Sequence, residues 1–159
     1  MQITILCIGK IKESYLRDGI REYLKRLSTL AKVRVQELKE VRSADRPSAA
    51  QIVQIKEAEG LALKKNLPAG CYHIVLDRNG ETLSSENLAK KLNDLAISGK
   101  TPIVFTIGGS FGLGTNILKT ADLVISFGKM TFPHQLMRLI LLEQVYRACK
   151  INAGHFYHK

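Results

Sequence analysis

The chain has 159 residues, enough for one domain that buries about two-thirds of its unfolded surface. Its longest apolar stretch, residues 139–142, is far too short to span a bilayer, and residues 1–8 read as a strand rather than a signal peptide, so a cytoplasmic protein is expected and a membrane protein is not. Twenty-four Lys and Arg against 14 Asp and Glu give a formal net charge of +10, which favours a polyanionic partner such as nucleic acid, with a solubility charge spread over the surface as the alternative.

Two kinds of segment alternate along the chain. Residues 3–8 are nearly all apolar and end at Gly9, a pattern that predicts a buried strand. Residues 13–27 set Leu16, Ile20, Tyr23, Leu24 and Leu27 on one helical stripe. Residues 33–38 alternate apolar with polar, as a strand with one wet face does, and suit a sheet edge. Residues 41–47 form the longest polar connection. Ser48 and Gln51 are spaced as a capping box, opening a helix to residue 66 with Ile52, Ile55, Ala58, Ala62 and Leu63 inward. A second apolar strand covers residues 72–77. A helix follows over residues 85–98, with Leu88, Leu92 and Leu95 repeated and Gly99 as its stop. Residues 103–107 and 123–127 are two more apolar strands, and a final helix begins after Pro133. Continuous apolar strands separated by helices predict a single α/β domain over residues 1–159, with a mostly parallel sheet covered by helices. Cys7, Cys71 and Cys149 are far apart and odd in number, without a CxxC or Cys/His cluster, so reduced thiols are expected and no metal.

Three strands end in loop-like sequence: residues 76–80, 108–114 and 127–133. In an open parallel sheet such ends line a ligand crevice. The loop Gly108-Gly109-Ser110-Phe111-Gly112-Leu113-Gly114 lets backbone approach a ligand, yet it has neither dinucleotide nor phosphate-loop spacing. A tight turn without a ligand is the alternative. In the third loop Met130 and Phe132 can hold a flat apolar ligand or plug the core. The helix after it is apolar nearly all round from Leu136 to Leu142, so it is a central core helix or half of a subunit interface. Arg138 and Arg147 read by default as surface ion-pair partners, and otherwise as donors to phosphate or carbonyl oxygens. The tail carries His155, Tyr157 and His158, groups able to stack and to exchange protons near neutrality. No close acid pair or nucleophile elbow is seen.

With these motifs in view, the sequence resembles the bacterial large-subunit ribosomal RNA pseudouridine N3-methyltransferases, members of the SPOUT methyltransferase class. The resemblance runs from Ile5-Leu6-Cys7-Ile8-Gly9-Lys10 through Ile107-Gly108-Gly109-Ser110 to the end of the sequence. Its most specific stretches are Lys129-Met130-Thr131-Phe132-Pro133-His134-Gln135, Glu143-Gln144-Val145-Tyr146-Arg147-Ala148 and Tyr157-His158-Lys159. The resemblance implies a C-terminal trefoil knot, a homodimer, and S-adenosylmethionine as methyl donor. It places donor contacts at Leu76, Gly108, Phe127, Gly128, Lys129, Met130, Thr131 and Phe132. The implied substrate is a pseudouridine in large-subunit RNA presented by the assembled ribosome. On that basis His158 is assigned as the base at N3, Arg147 as the group offsetting charge on the carbonyl oxygens, and Tyr157 as the group that stacks on or bonds to the flipped-out base. Phe111 departs from the Asn or Glu the family often carries there. A non-catalytic ribosome-binding factor and a metabolic enzyme holding a nucleotide at residues 108–114 are the competing readings.

Overall fold

The computed structural model describes residues 1–154. Its elements run β1 (Gln2–Ile8), α1 (Ser14–Leu27), β2 (Lys32–Leu38), α2 (Ala49–Lys65), β3 (Tyr72–Thr82), α3 (Ser85–Ile97), β4 (Ile103–Ile107), α4 (Thr115–Leu118), β5 (Leu123–Ser126) and α5 (His134–Asn152). The strands form one five-stranded sheet in the order β2-β1-β4-β3-β5, and every neighbouring pair is parallel. All of β4 and all but the first residue of β1 are buried, as strands covered on both faces must be. The alternating β2 lies at an edge, as its sequence predicts.

Successive side chains on a strand point to opposite faces, so each strand feeds two cores. Ile3, Ile5 and Cys7 of β1 join Ile103 and Phe105 of β4 against Leu16, Leu92 and Leu141 from α1, α3 and α5. Leu6 and Ile8 of β1 join Val75 and Val104 against Leu63 of α2 and Ile117 of α4. The result is three layers, with α1, α3 and α5 on one side of the sheet and α2 and α4 on the other. Parallel strands also bring their carboxyl ends, and the loops that follow them, to one edge.

Three details depart from the sequence reading. The Ser48–Gln51 capping box forms, but along α2 Ala58 is exposed while Glu59 and Gly60 are buried. Gly60 packs against Asn116 of α4, whose side-chain amide donates to Glu57 O at 2.7 Å. A polar helix-to-helix contact, rather than the aliphatic stripe alone, therefore sets the rotation of α2. Second, β3 continues past Asp77 to Thr82. Leu76 and Glu81 both align with Ile125, so residues 77–80 bulge out of an otherwise continuous strand. At Gly80 a Cβ would lie 2.6 Å from the Ile125 carbonyl carbon, so only glycine fits the return.

Third, Arg138 is not on the surface; it is fully buried in the first turns of α5. Its Nη1 donates to Glu37 Oε1 at 2.8 Å and its Nη2 to Ile8 O at 2.6 Å, which fastens α5 to the carboxyl ends of β1 and β2. His73 is buried within β3, as the apolar strand predicted over residues 72–77 implies, its ring nitrogens against Thr106 Oγ1 at 2.8 Å and Thr120 O at 3.2 Å. Burial holds its pKa below the ordinary histidine value, although the Thr120 contact and Asp122 oppose the shift. Beyond Arg138, α5 buries Leu141, Leu142, Val145 and Ala148, while Leu136, Met137, Leu139 and Tyr146 are only partly covered. No helix among the described residues is long and apolar enough to cross a membrane.

Candidate functional site

At the carboxyl edge of the sheet, a cavity of about 540 Å³ opens between the bulge in β3 and the loops after β4 and β5. Its size suits a small organic ligand. Leu76, Gly108, Phe127, Gly128, Met130, Thr131 and Phe132 all line it, so the three loops singled out in the sequence converge on one space. Lys129, in the same loop, is exposed and is not among the lining residues.

The loop after β4 is a tight turn, closed by Gly112 N–H donating to Gly109 O at 3.1 Å. Gly112 takes φ +84°, which glycine adopts without strain. A Cβ on Gly108 would meet Gly112 O at 2.8 Å and Leu113 Cγ at 2.9 Å. The glycines are therefore needed for the turn itself, and the turn in turn exposes peptide groups to the cavity. After β5, Ser126 Oγ accepts from Gly128 N–H at 3.1 Å and donates to Gly128 O at 3.0 Å, which shapes the start of the 127–133 loop. Met130 is 75% exposed, so it is a rim residue and no core plug, whereas Phe132 is partly buried in the wall.

Several lining residues escaped the sequence reading. Lys56 comes from α2, far away in sequence, and nothing in its local pattern marks it. Asp77 and Arg78, from the 76–80 segment that the sequence placed at the crevice, do line it, but as a bulge within β3 rather than as a loop after it. His134 and Met137 come from the first turn of α5, where Pro133-His134 was the available signal. The His134 pKa is lowered, first by burial and then by Arg138 and Lys12, while Glu40 opposes. Close by, burial pushes the Cys7 thiol up to about 12, so it is an inert core group.

Arg147 stands elsewhere. It lies farther along α5, paired with Glu143 at 2.6 Å, and does not line this cavity. Tyr157 and His158 lie outside the described residues. Among the described residues no group of three or more His, Cys, Asp or Glu converges as a metal site would require.

An open parallel sheet with one crevice built from its carboxyl-end loops defines a ligand-binding α/β protein of the doubly covered kind. Residues 1–158 match the family model described as "Predicted SPOUT methyltransferase". Over 159 residues the chain is 50% identical to the ribosomal RNA large subunit methyltransferase H of Moorella thermoacetica, covering all of this chain and 99% of that one. It is also 50% identical to the protein of the same name from Clostridium novyi, with both chains fully covered. A crystal structure of a methylase family protein from Neisseria gonorrhoeae shares the fold at a TM-score of 0.52 and 11% identity, over 91% of this chain and 81% of that one. The chain belongs to the SPOUT methyltransferase family.

Proposed function

We propose that this protein is an S-adenosylmethionine-dependent methyltransferase that modifies N3 of a pseudouridine in large-subunit ribosomal RNA, as a cytoplasmic homodimer acting on the assembled ribosome. The observation that carries the reading is the convergence of Leu76, Gly108 and the loop from Phe127 to Phe132 on one cavity. The names of the relatives from Moorella and Clostridium support the RNA substrate, and the net charge of +10 suits it.

The residues present fit the donor. The space that a Cβ on Gly108 would fill is taken by Gly112 O and Leu113 Cγ, so glycine lets the turn close tightly at the cavity's edge. Leu76, Phe127 and Phe132 provide apolar walls for a flat ring, while peptide groups of residues 108–112 and 127–132 read its edges. When bound, S-adenosylmethionine supplies an electrophilic methyl group. The chain's own task is to orient the acceptor and to move one proton, because a ring N–H is nucleophilic only after losing it. His158 accepts that proton at a ring nitrogen, Tyr157 stacks on the extruded base, and Arg147 offsets charge on the neighbouring carbonyl oxygens. Arg147 stands 13 residues beyond His134 on α5, a span of about 20 Å at the helical rise. That span supports a composite site in which one subunit's α5 and tail serve the other's cavity. The C-terminal trefoil knot expected of the family belongs to the same proposal.

Titration calorimetry with S-adenosylmethionine, followed by transfer of its labelled methyl group to ribosomes, tests the reading. Saturable binding and RNA labelling are expected. Ribosome binding without donor binding would show a non-catalytic factor instead.

A further inference from the structure

Beneath the glycine loop lies a carboxyl group that the assignments above do not use. Glu59 of α2 is only 5% exposed. Its Oε1 accepts a hydrogen bond from Val41 N–H at 3.1 Å and so holds the start of the 41–47 connection. Its Oε2 is sealed from solvent and has no hydrogen-bond partner. A Cβ built on Gly109 would lie 3.0 Å from that Oε2 and 3.0 Å from Ile8 Cγ2, so the loop backbone rests directly on the carboxyl. Native interiors rarely leave such an atom unmatched, and an orphan of this kind calls for an explanation.

Sealed from solvent with no donor facing it, Oε2 suits a carboxyl that carries its proton on that oxygen. Burial raises its pKa, Glu40 adds to the rise, and the Val41 hydrogen bond opposes it. Ile8 from β1 and Gly109 from the loop pack beside it. A protonated carboxyl has one acceptor oxygen and one O–H donor. The acceptor is engaged at Val41, and the donor is left at the glycine loop.

We propose that Glu59 is a positioning residue for the methyl-donor pocket: one carboxyl oxygen holds Val41, and the other, as O–H, hydrogen-bonds the glycine loop when that loop settles on the donor. The inference rests on the methyl-donor reading above. It ties two functional surfaces to one side chain. The connection held at Val41 carries exposed Arg42 and Arg46, a segment suited to RNA phosphate. Donor binding and ordering of that basic segment are therefore linked through α2.

Glu59→Gln and Glu59→Leu separate this role from simple packing. Glutamine keeps an acceptor for Val41 and a donor for the loop; leucine keeps the bulk and loses both. The expected result, read by calorimetry with S-adenosylhomocysteine on folded protein, is a Kd within about twofold of wild type for Gln and raised about tenfold or more for Leu, one to two hydrogen bonds' worth. In single-turnover methylation at saturating donor, the Leu variant keeps its rate while its donor dependence shifts. A second measurement needs no variant: hydrogen exchange on the wild-type protein should slow at Val41 together with residues 109–112 when S-adenosylhomocysteine is added. An unchanged Kd in Glu59→Leu, a Gln variant as weak as Leu, or loop protection without protection at Val41 overturns the inference alone. Wild-type protein that binds no donor overturns both the inference and the reading beneath it.

Discussion

Replacing Gly108 with alanine adds one methyl group where the structure has no room for it. The new Cβ would sit 2.8 Å from Gly112 O, 2.9 Å from Gly112 C and 2.9 Å from Leu113 Cγ. Comfortable carbon contacts begin near 3.5 Å, so the turn must open by about 0.6 Å. Two of the three obstructing atoms are backbone, and the turn is already closed by the Gly112-to-Gly109 hydrogen bond, so the strain cannot be shed by rotating a side chain. Overpacking of this kind costs about 1–3 kcal/mol, a fall of about 2–12 °C in Tm for a chain of this size. Displacing the peptide groups that face the cavity should cost the donor one or two hydrogen bonds, about 1 kcal/mol each. Donor affinity should therefore fall about 5- to 30-fold. Gly70→Ala is the control. It strains the backbone by another route, through a left-handed φ of +70° that Gly108 does not share, with nothing within 4 Å of the new Cβ. It should lower Tm and leave donor affinity unchanged. Calorimetry and thermal melts on both variants decide the matter. Wild-type donor affinity in Gly108→Ala would refute the reasoning that this turn forms the donor cradle.

Other consequences can be checked independently. Arg138→Met should destabilise the fold by about 3 kcal/mol in urea unfolding, the lower end for a broken buried pair because the Glu37 side chain keeps 30% exposure; a loss under 1 kcal/mol would contradict the tether between α5 and β1. Stability should decline as pH falls below about 6.5. His73 and His134 bind protons less readily folded than unfolded, so their contribution is complete above the unfolded pKa and is lost as pH drops through the lowered folded values. A His73→Gln variant should show a shallower decline in urea midpoint between pH 7.5 and 5.5, and an identical slope would contradict the assignment. His158→Ala should abolish methyl transfer with donor affinity nearly intact; full activity would remove His158 from the mechanism. Sedimentation should give a dimer at micromolar concentration, and a stable monomer would count against the composite site.

The sheet was legible because its signals are local. Continuous apolar runs ending in Gly or polar residues marked β1, β4 and β5, and the alternation in β2 marked its edge position. The loops that line the cavity were legible for a related reason: glycines at 108, 109 and 112 and the Gly128-to-Pro133 segment break pattern at strand ends. What stayed hidden depends on partners distant in sequence. Arg138 reads as a surface cation because nothing near it shows that Glu37 and the Ile8 carbonyl will enclose it, 101 and 130 residues away. The rotation of α2 depends on Asn116, which lies 59 residues from Glu57. The bulge at residues 77–80 is set by pairing with Ile125, so the continuation of β3 to Thr82 could not be read from the sequence, although the segment's place at the crevice could. Glu59 follows the same rule, since its two neighbours Val41 and Gly109 meet only in the fold.

The central claim is that this cavity delivers a methyl group to ribosomal RNA. Ribosomes from cells lacking the protein, incubated with it and S-adenosylmethionine, provide the direct test by mass spectrometry of nuclease fragments. The account predicts one added methyl group, on N3 of a pseudouridine in large-subunit RNA, absent when donor is omitted and absent with His158→Ala. Ribosomes that bind the protein yet gain no methyl group would contradict it.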